Sequence, residues 1–152
     1  MKIANYLVSL CLLIPAMLCA DLEESSYKFQ GTHFIAQYFE CDFANMADTD
    51  MLSCVMDRAV QESGATILSS SCHCFPNSHG LTITYALSES HASLHTYPEH
   101  RACFVDLFTC GDHCSYKEFD AVLSAYLKPK RVTKDVILRP DPLDEPVEVV
   151  LD

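Results

Sequence analysis

Leu81-Thr82-Ile83-Thr84-Tyr85-Ala86-Leu87, then Ser88-Glu89-Ser90-His91-Ala92-Ser93-Leu94-His95-Thr96-Tyr97-Pro98-Glu99, then Cys103-Phe104-Val105-Asp106-Leu107-Phe108-Thr109-Cys110: this run sets the organisation of the chain. Its two outer parts are apolar and rich in β-branched and aromatic residues, and they read as buried strands. The twelve residues between them hold three serines, two histidines, two carboxylates and a proline. They read as a reactive loop between two strands, and chemistry is sought there first.

Working outward, residues 65–75 read as a further strand, joined to 81–87 through the turn Pro76-Asn77-Ser78-His79-Gly80. Residues 51–63 carry Leu52, Val55, Met56, Ala59 and Val60 at helical spacing, and Gly64 stops that helix. Residues 42–50 are a polar connector or helix start, and 31–41 form a first strand. On the other side, 101–110 is a strand and Gly111-Asp112-His113 a turn. Residues 115–127 are a helix with Phe119, Val122, Leu123, Tyr126 and Leu127 inward. Pro129 ends it, and 131–138 is a last strand. Five or so strands and two helices predict one sheet with both helices on one face. The opposite face then needs cover, and a partner subunit is the economical answer.

Composition narrows the function. The formal net charge of -11 argues against nucleic acid as a partner. Residues 140–152 carry Asp141, Asp144, Glu145, Glu148 and Asp152 with no base, and read as an acidic, Pro-rich, disordered tail. Residues 1–20 read as a secretory signal peptide or N-terminal leader: Lys2, an apolar run, then small residues near Cys19-Ala20. The domain between them spans 21–139. Seven cysteines lie beyond residue 20. In an oxidising compartment six can pair; in a reducing one they are mostly small buried apolar side chains.

Several constellations offer chemistry by residue type. Cys72-His73-Cys74 and Cys110-Gly111-Asp112-His113-Cys114 hold metal-ligand types, but neither has the C-x-x-C spacing, and strand geometry turns His73 away from its neighbours. Structural or disulfide roles are expected there, with no metal. A Cys110–His95 pair fits nucleophilic chemistry on residue types. A Ser-His-acid set is conceivable, though no G-x-S-x-G elbow is present.

The stretch Glu89-Ser90-His91-Ala92-Ser93-Leu94-His95-Thr96-Tyr97-Pro98-Glu99 resembles the self-processing site of bacterial and archaeal pyruvoyl-dependent S-adenosylmethionine decarboxylase proenzymes. The resemblance continues in Phe104-Val105-Asp106-Leu107-Phe108-Thr109-Cys110-Gly111, in Lys128-Pro129-Lys130-Arg131-Val132, in Gly31-Thr32-His33 and in Cys41-Asp42, and so spans about residues 31–138. Its core is specific: a serine, a histidine five residues on, a Pro-Glu pair, and a cysteine twenty residues after the serine.

What the resemblance implies is a protein that makes its own cofactor. Ser90 attacks the Glu89 carbonyl to form an ester, His95 accepts the Cα proton of Ser90, and elimination cuts the chain between 89 and 90. Ser90 becomes a pyruvoyl group that forms a Schiff base with the α-amine of S-adenosylmethionine. By the same likeness Thr82 helps to hold the ester, and Cys110 is the proton donor in catalysis. Glu99 binds the ribose, and Phe75 and Tyr97 sandwich the adenine, which suits a cationic sulfonium ligand. The implied fold is an α/β (α+β) two-layer sandwich, an antiparallel sheet with two helices on one face, assembled as a homodimer of αβ units. The implied product, S-adenosylmethioninamine, feeds spermidine and polyamine biosynthesis.

There are departures from the family pattern. Tyr97 stands where tryptophan is frequent, Gln37 replaces an acid, and the turn before Thr82 is one residue longer. The leader points to export, whereas the family's role points to the cytoplasm. Two alternatives stand beside this reading: a related pyruvoyl decarboxylase of ornithine or arginine, and an exported non-catalytic binding protein on the same fold.

Overall fold

The computed structural model describes residues 30–77 and 79–140. The expected leader, and the expected tail apart from Pro140, lie outside them. Six strands form one antiparallel sheet: β1 (Gly31–Phe39), β2 (Ile67–Phe75), β3 (Gly80–Leu87), β4 (Ser90–Tyr97), β5 (Ala102–Thr109) and β6 (Arg131–Arg139). Their order across the sheet is β2-β3-β4-β5-β1-β6. Three helices accompany them: α1 (Phe43–Ala47), α2 (Thr49–Glu62) and α3 (Tyr116–Leu127).

The core lies between one sheet face and the helices α2 and α3. Alternation along each strand produces it. Phe34, Ala36 and Tyr38 of β1, Leu81, Ile83, Tyr85 and Leu87 of β3, and Val105 and Leu107 of β5 are buried on that side. Leu52, Val55, Met56, Ala59 and Val60 of α2 meet them at the expected helical spacing, as do Phe119, Leu123 and Leu127 of α3. Val122 and Tyr126, expected inward, are partly buried at its margin. Polar atoms driven into this layer find partners: the Tyr38 hydroxyl donates to Asp120 Oδ1 at 2.7 Å, and that of Tyr85 to Asp57 Oδ1 at 2.6 Å.

Local signals set the helix ends. Residues 42–50 resolve into α1, capped by Asp42, and the start of α2, capped by Asp48, whose Oδ1 accepts from Met51 N–H at 3.0 Å. Gly64, at φ +88°, ends the α2 segment where a side chain would meet the His113 backbone.

One expectation needs correction. Most of the segment read as a loop is the strand β4, near the middle of the sheet. Ala92, Leu94 and Thr96 are buried on its helix side, and His91, Ser93, His95 and Tyr97 alternate onto the other. The polar composition hides the pattern because Thr96 sits in the core, where its Oγ1 accepts from Leu81 N–H at 2.8 Å. A second correction concerns the thiols. All seven cysteines beyond residue 20 are free, and only Cys41 and Cys103 are buried; Cys54, Cys72 and Cys74 are exposed.

Candidate functional site

The face of the sheet away from the helices carries the candidate residues, and they fall into two groups. The first lies at the β3–β4 turn. Ser88 and Glu89 form a two-residue connection between the paired residues Leu87 and Ser90. Such turns favour positive φ at their central positions; here the positive value, +146°, falls on Ser90 instead. A serine in that region stores on the order of 1–3 kcal/mol of strain. The turn cannot relax freely, because Ser88 N–H donates to Thr66 O at 2.9 Å.

Glu89 is tied down at both ends. Its Oε2 accepts from Thr66 N–H at 2.9 Å, and its Oε1 lies 3.6 Å from Nε2 of His113. Desolvation pushes its carboxyl up, but the Thr66 hydrogen bonds and His113 outweigh that and hold it below the usual carboxylate range. Its backbone carbonyl accepts from the backbone N–H of Cys110 at 3.0 Å. Cys110 follows β5, which pairs with β4 through Ser90 and Thr109. A cavity of about 420 Å³ opens here, lined by Leu87, Ser88, Glu89, Ser90, Cys110 and Gly111.

The second group lies at the other end of β4. Thr82 and His95 are directly opposite in the β3–β4 register, and Thr82 Oγ1 is 2.5 Å from His95 Nδ1. The His95 ring is flanked edge-on by Tyr97 at 4.4 Å and by Phe75 at 5.9 Å between centroids. Both aromatic residues are more than a third exposed, at 37% for Tyr97 and 38% for Phe75. Glu99, in the turn Pro98–His100, joins Phe75, His95, Thr96 and Tyr97 around a cavity of about 160 Å³. Two aromatic rings and a carboxylate suit a flat, hydroxyl-bearing, cationic ligand.

The structure therefore gathers Glu89, Ser90 and Cys110 at one end of β4, and Thr82, His95, Phe75, Tyr97 and Glu99 at the other. It does not bring Ser90 to His95 within one chain. Five strand residues extend about 16 Å, too far for proton transfer between them. The sequence reading also missed His91, Asp106 and His33, whose ligating atoms lie within 4.8 Å of one another on the same open face. His91 and Asp106 belong to motifs quoted above, and the signal that unites them is the period of two in β4 and β5. Glu89, His113 and Cys114 form a second close set. Cys72 and Cys74 pair opposite Ile83 and Leu81, and His73 opposite Thr82 on the other face, so the three side chains do not converge on one point.

The chain resembles known proteins over this whole region. A family model described as S-adenosylmethionine decarboxylase matches residues 32–140. An S-adenosylmethionine decarboxylase proenzyme of Fervidobacterium nodosum is 38% identical over 104 residues, which is 68% of this chain and 75% of that one. One from Thermotoga petrophila is 39% identical over 106 residues, 69% of this chain and 80% of its own. Among solved structures, the adenosylmethionine decarboxylase of Aquifex aeolicus VF5 superposes with a TM-score of 0.65 at 33% identity. That match covers 72% of this chain and 90% of the other.

Proposed function

The chain belongs to the S-adenosylmethionine decarboxylase family, and from that premise we propose how its residues divide the work. It is a proenzyme that cuts itself and then removes carbon dioxide from S-adenosylmethionine, giving S-adenosylmethioninamine for polyamine biosynthesis. The domain 21–139 is cut between Glu89 and Ser90. Ser90 Oγ attacks the Glu89 carbonyl, whose oxygen already accepts a hydrogen bond from Cys110 N–H. Strain at Ser90 raises the energy of the intact peptide relative to the ester.

The single observation that carries this reading is the placement of two half-sites at opposite ends of one strand, both on the open face. A two-fold axis lying between two such faces, and running across the strands, reverses strand direction. It sets the Ser90 end of one β4 against the His95 end of the other. The open face supplies apolar area for that contact in Phe104, 41% exposed, and Ile137, 47% exposed. In the homodimer, His95 of the partner subunit takes the Cα proton of Ser90, and Thr82 of the partner subunit orients that imidazole. The main-chain α-carboxylate of Glu89 leaves as a new C-terminus. The dehydroalanine end tautomerises to an imine, whose hydrolysis by water releases ammonia and completes the group.

A pyruvoyl group at position 90 supplies the carbonyl and the electron sink that decarboxylation needs. The residues around it fit such a group: a serine at a strained turn, with a thiol beside it and an opening for substrate. Cys110 then delivers a proton to the substrate carbon after carbon dioxide leaves. Phe75, Tyr97 and Glu99 of the partner subunit, which line one cavity with His95, hold the nucleoside, the rings by stacking and the carboxylate by accepting from ribose hydroxyls.

The test is the intact mass of the purified protein together with carbon dioxide release. Two chains that meet at Glu89 and Ser90, with release from S-adenosylmethionine and none from ornithine or arginine, are expected. An uncut chain that behaves like its Ser90→Ala variant overturns the reading. Release from ornithine or arginine alone moves it to another substrate.

A further inference from the structure

We propose that His91 is the base and then the acid of the first cleavage step, positioned by Asp106; this rests on the self-processing reading above. Neighbouring residues on a strand point to opposite faces, so Ser90 and His91 ought to diverge. The positive φ at Ser90 undoes that, and its Oγ lies 3.1 Å from Nδ1 of His91. The other ring nitrogen, Nε2, is 3.6 Å from Asp106 Oδ1. Asp106 is in reach because it pairs with Ser93, two residues along the same face of β4. Its carboxylate is held in turn: Oδ2 accepts from Ser93 Oγ, and Oδ1 lies 3.8 Å from Nε2 of His33, a buried atom with no hydrogen-bond partner among the described residues.

With a hydroxyl at Nδ1 and a carboxylate facing Nε2, the two partners assign the tautomer. The proton sits on Nε2, and a lone pair on Nδ1 faces Ser90. This is the nucleophile, base and orienting acid of a serine triad, with the base next in sequence to the nucleophile. The 3.6 Å contact shortens as positive charge develops on the ring.

The step balances with no co-reactant. Nδ1 takes the hydroxyl proton as Oγ bonds to the Glu89 carbonyl carbon. The carbonyl oxygen becomes an oxyanion, with the Cys110 N–H aimed at it. As the Glu89–Ser90 C–N bond breaks, the proton passes from Nδ1 to the Ser90 nitrogen. An ester and a free amine result, and the partner subunit's His95 is left for the later Cα proton.

The first step can be read alone in the His95→Ala protein, which stops at the ester; hydroxylamine then cleaves it between 89 and 90. Adding His91→Ala is expected to slow formation of the labile bond about 100-fold or more. Adding Asp106→Asn should slow it about tenfold or more, and free imidazole should restore part of the rate to the His91→Ala protein. His91 is half exposed, so its truncation leaves the core intact. An unchanged rate for the His91→Ala protein overturns the inference. So does a slow His91→Ala protein that imidazole fails to rescue while Asp106→Asn keeps full rate, because that pattern marks a structural role. Wild-type chain left uncut overturns the self-processing reading itself.

Discussion

The backbone N–H of Cys110 donates to the carbonyl oxygen of Glu89 at 3.0 Å, across the β4–β5 junction. In the proposed mechanism one residue serves two stages with different atoms. On that reading its amide polarises the bond to be cut, and its thiol protonates the substrate carbon. Cys110→Ala keeps the amide and removes the thiol. Cleavage between 89 and 90 should change by less than about tenfold, while kcat for decarboxylation falls about a hundredfold or more. Mass spectrometry of the chains beside carbon dioxide release checks the split; equal losses in both would assign the thiol to cleavage as well.

The half-sites at the two ends of β4 predict complementation. Ser90→Ala protein cannot form the ester, and His95→Ala protein cannot complete the elimination. Co-expression produces dimers in which the intact Ser90 of one chain meets the intact His95 of the other. The His95→Ala chain should then be cut in the mixture, while neither chain is cut alone. Failure to cut in the mixture, with heterodimer present by native mass, would place both halves of the site in one chain.

Thr82 holds His95 through its hydroxyl at 2.5 Å. Thr82→Val preserves shape and removes that bond. Elimination should slow about 10- to 100-fold, with hydroxylamine-labile ester accumulating, because a misplaced base loses about 1.4–2.8 kcal/mol of transition-state stabilisation. Thr82→Ser should stay within a few-fold of wild type. A Thr82→Val protein that shows no ester and cuts normally would remove Thr82 from the mechanism.

Phe119 is fully buried under the sheet, with its ring 6.2 Å from that of Phe34. Phe119→Ala leaves a cavity in the middle of α3's contact with β1. A loss of about 3–5 kcal/mol is expected in urea unfolding at a fixed protomer concentration. A loss below about 1 kcal/mol would mean that the helix layer repacks freely.

Buried thiols set an alkaline limit. Burial pushes Cys41 up to about 11 against the opposing pull of Arg101. Cys103, fully buried, is also raised well above the usual thiol range, by desolvation and then by Cys41. In the unfolded chain a thiol titrates near about 8.5. The folded-state values are raised, so this stability is complete below about 8.5 and is lost as pH rises through the folded values. The urea midpoint should fall between about pH 8.5 and pH 11, and Cys41→Ala should flatten that fall. A level midpoint across the window would contradict the burial of both groups.

Much of this molecule is legible in short stretches of sequence. The spacing of Leu52, Val55, Met56, Ala59 and Val60 specifies the buried stripe of α2, and the alternation of Phe34, Ala36 and Tyr38 that of β1. The spacing of Ser90, His95, Glu99 and Cys110 carries the resemblance to the family, since those residue types at those intervals are specific together. These signals are local: a helical or strand period, a cap or a motif depends on a window of a few residues.

The rest depended on pairing between distant segments. The polar composition of β4 masks its alternation, because its buried Thr96 is satisfied by Leu81 N–H of the neighbouring strand β3. Sequence distance suggests that Ser90 and His95 are neighbours. Strand geometry sets them about 16 Å apart, and so points to a second chain. Asp106 reaches His91 through the β4–β5 register, and Ser90 Oγ reaches the same imidazole through one positive φ. Register and that dihedral arise when the whole sheet closes over its core. The sequence by itself determined which groups are available, and only the closed sheet decided which of them meet.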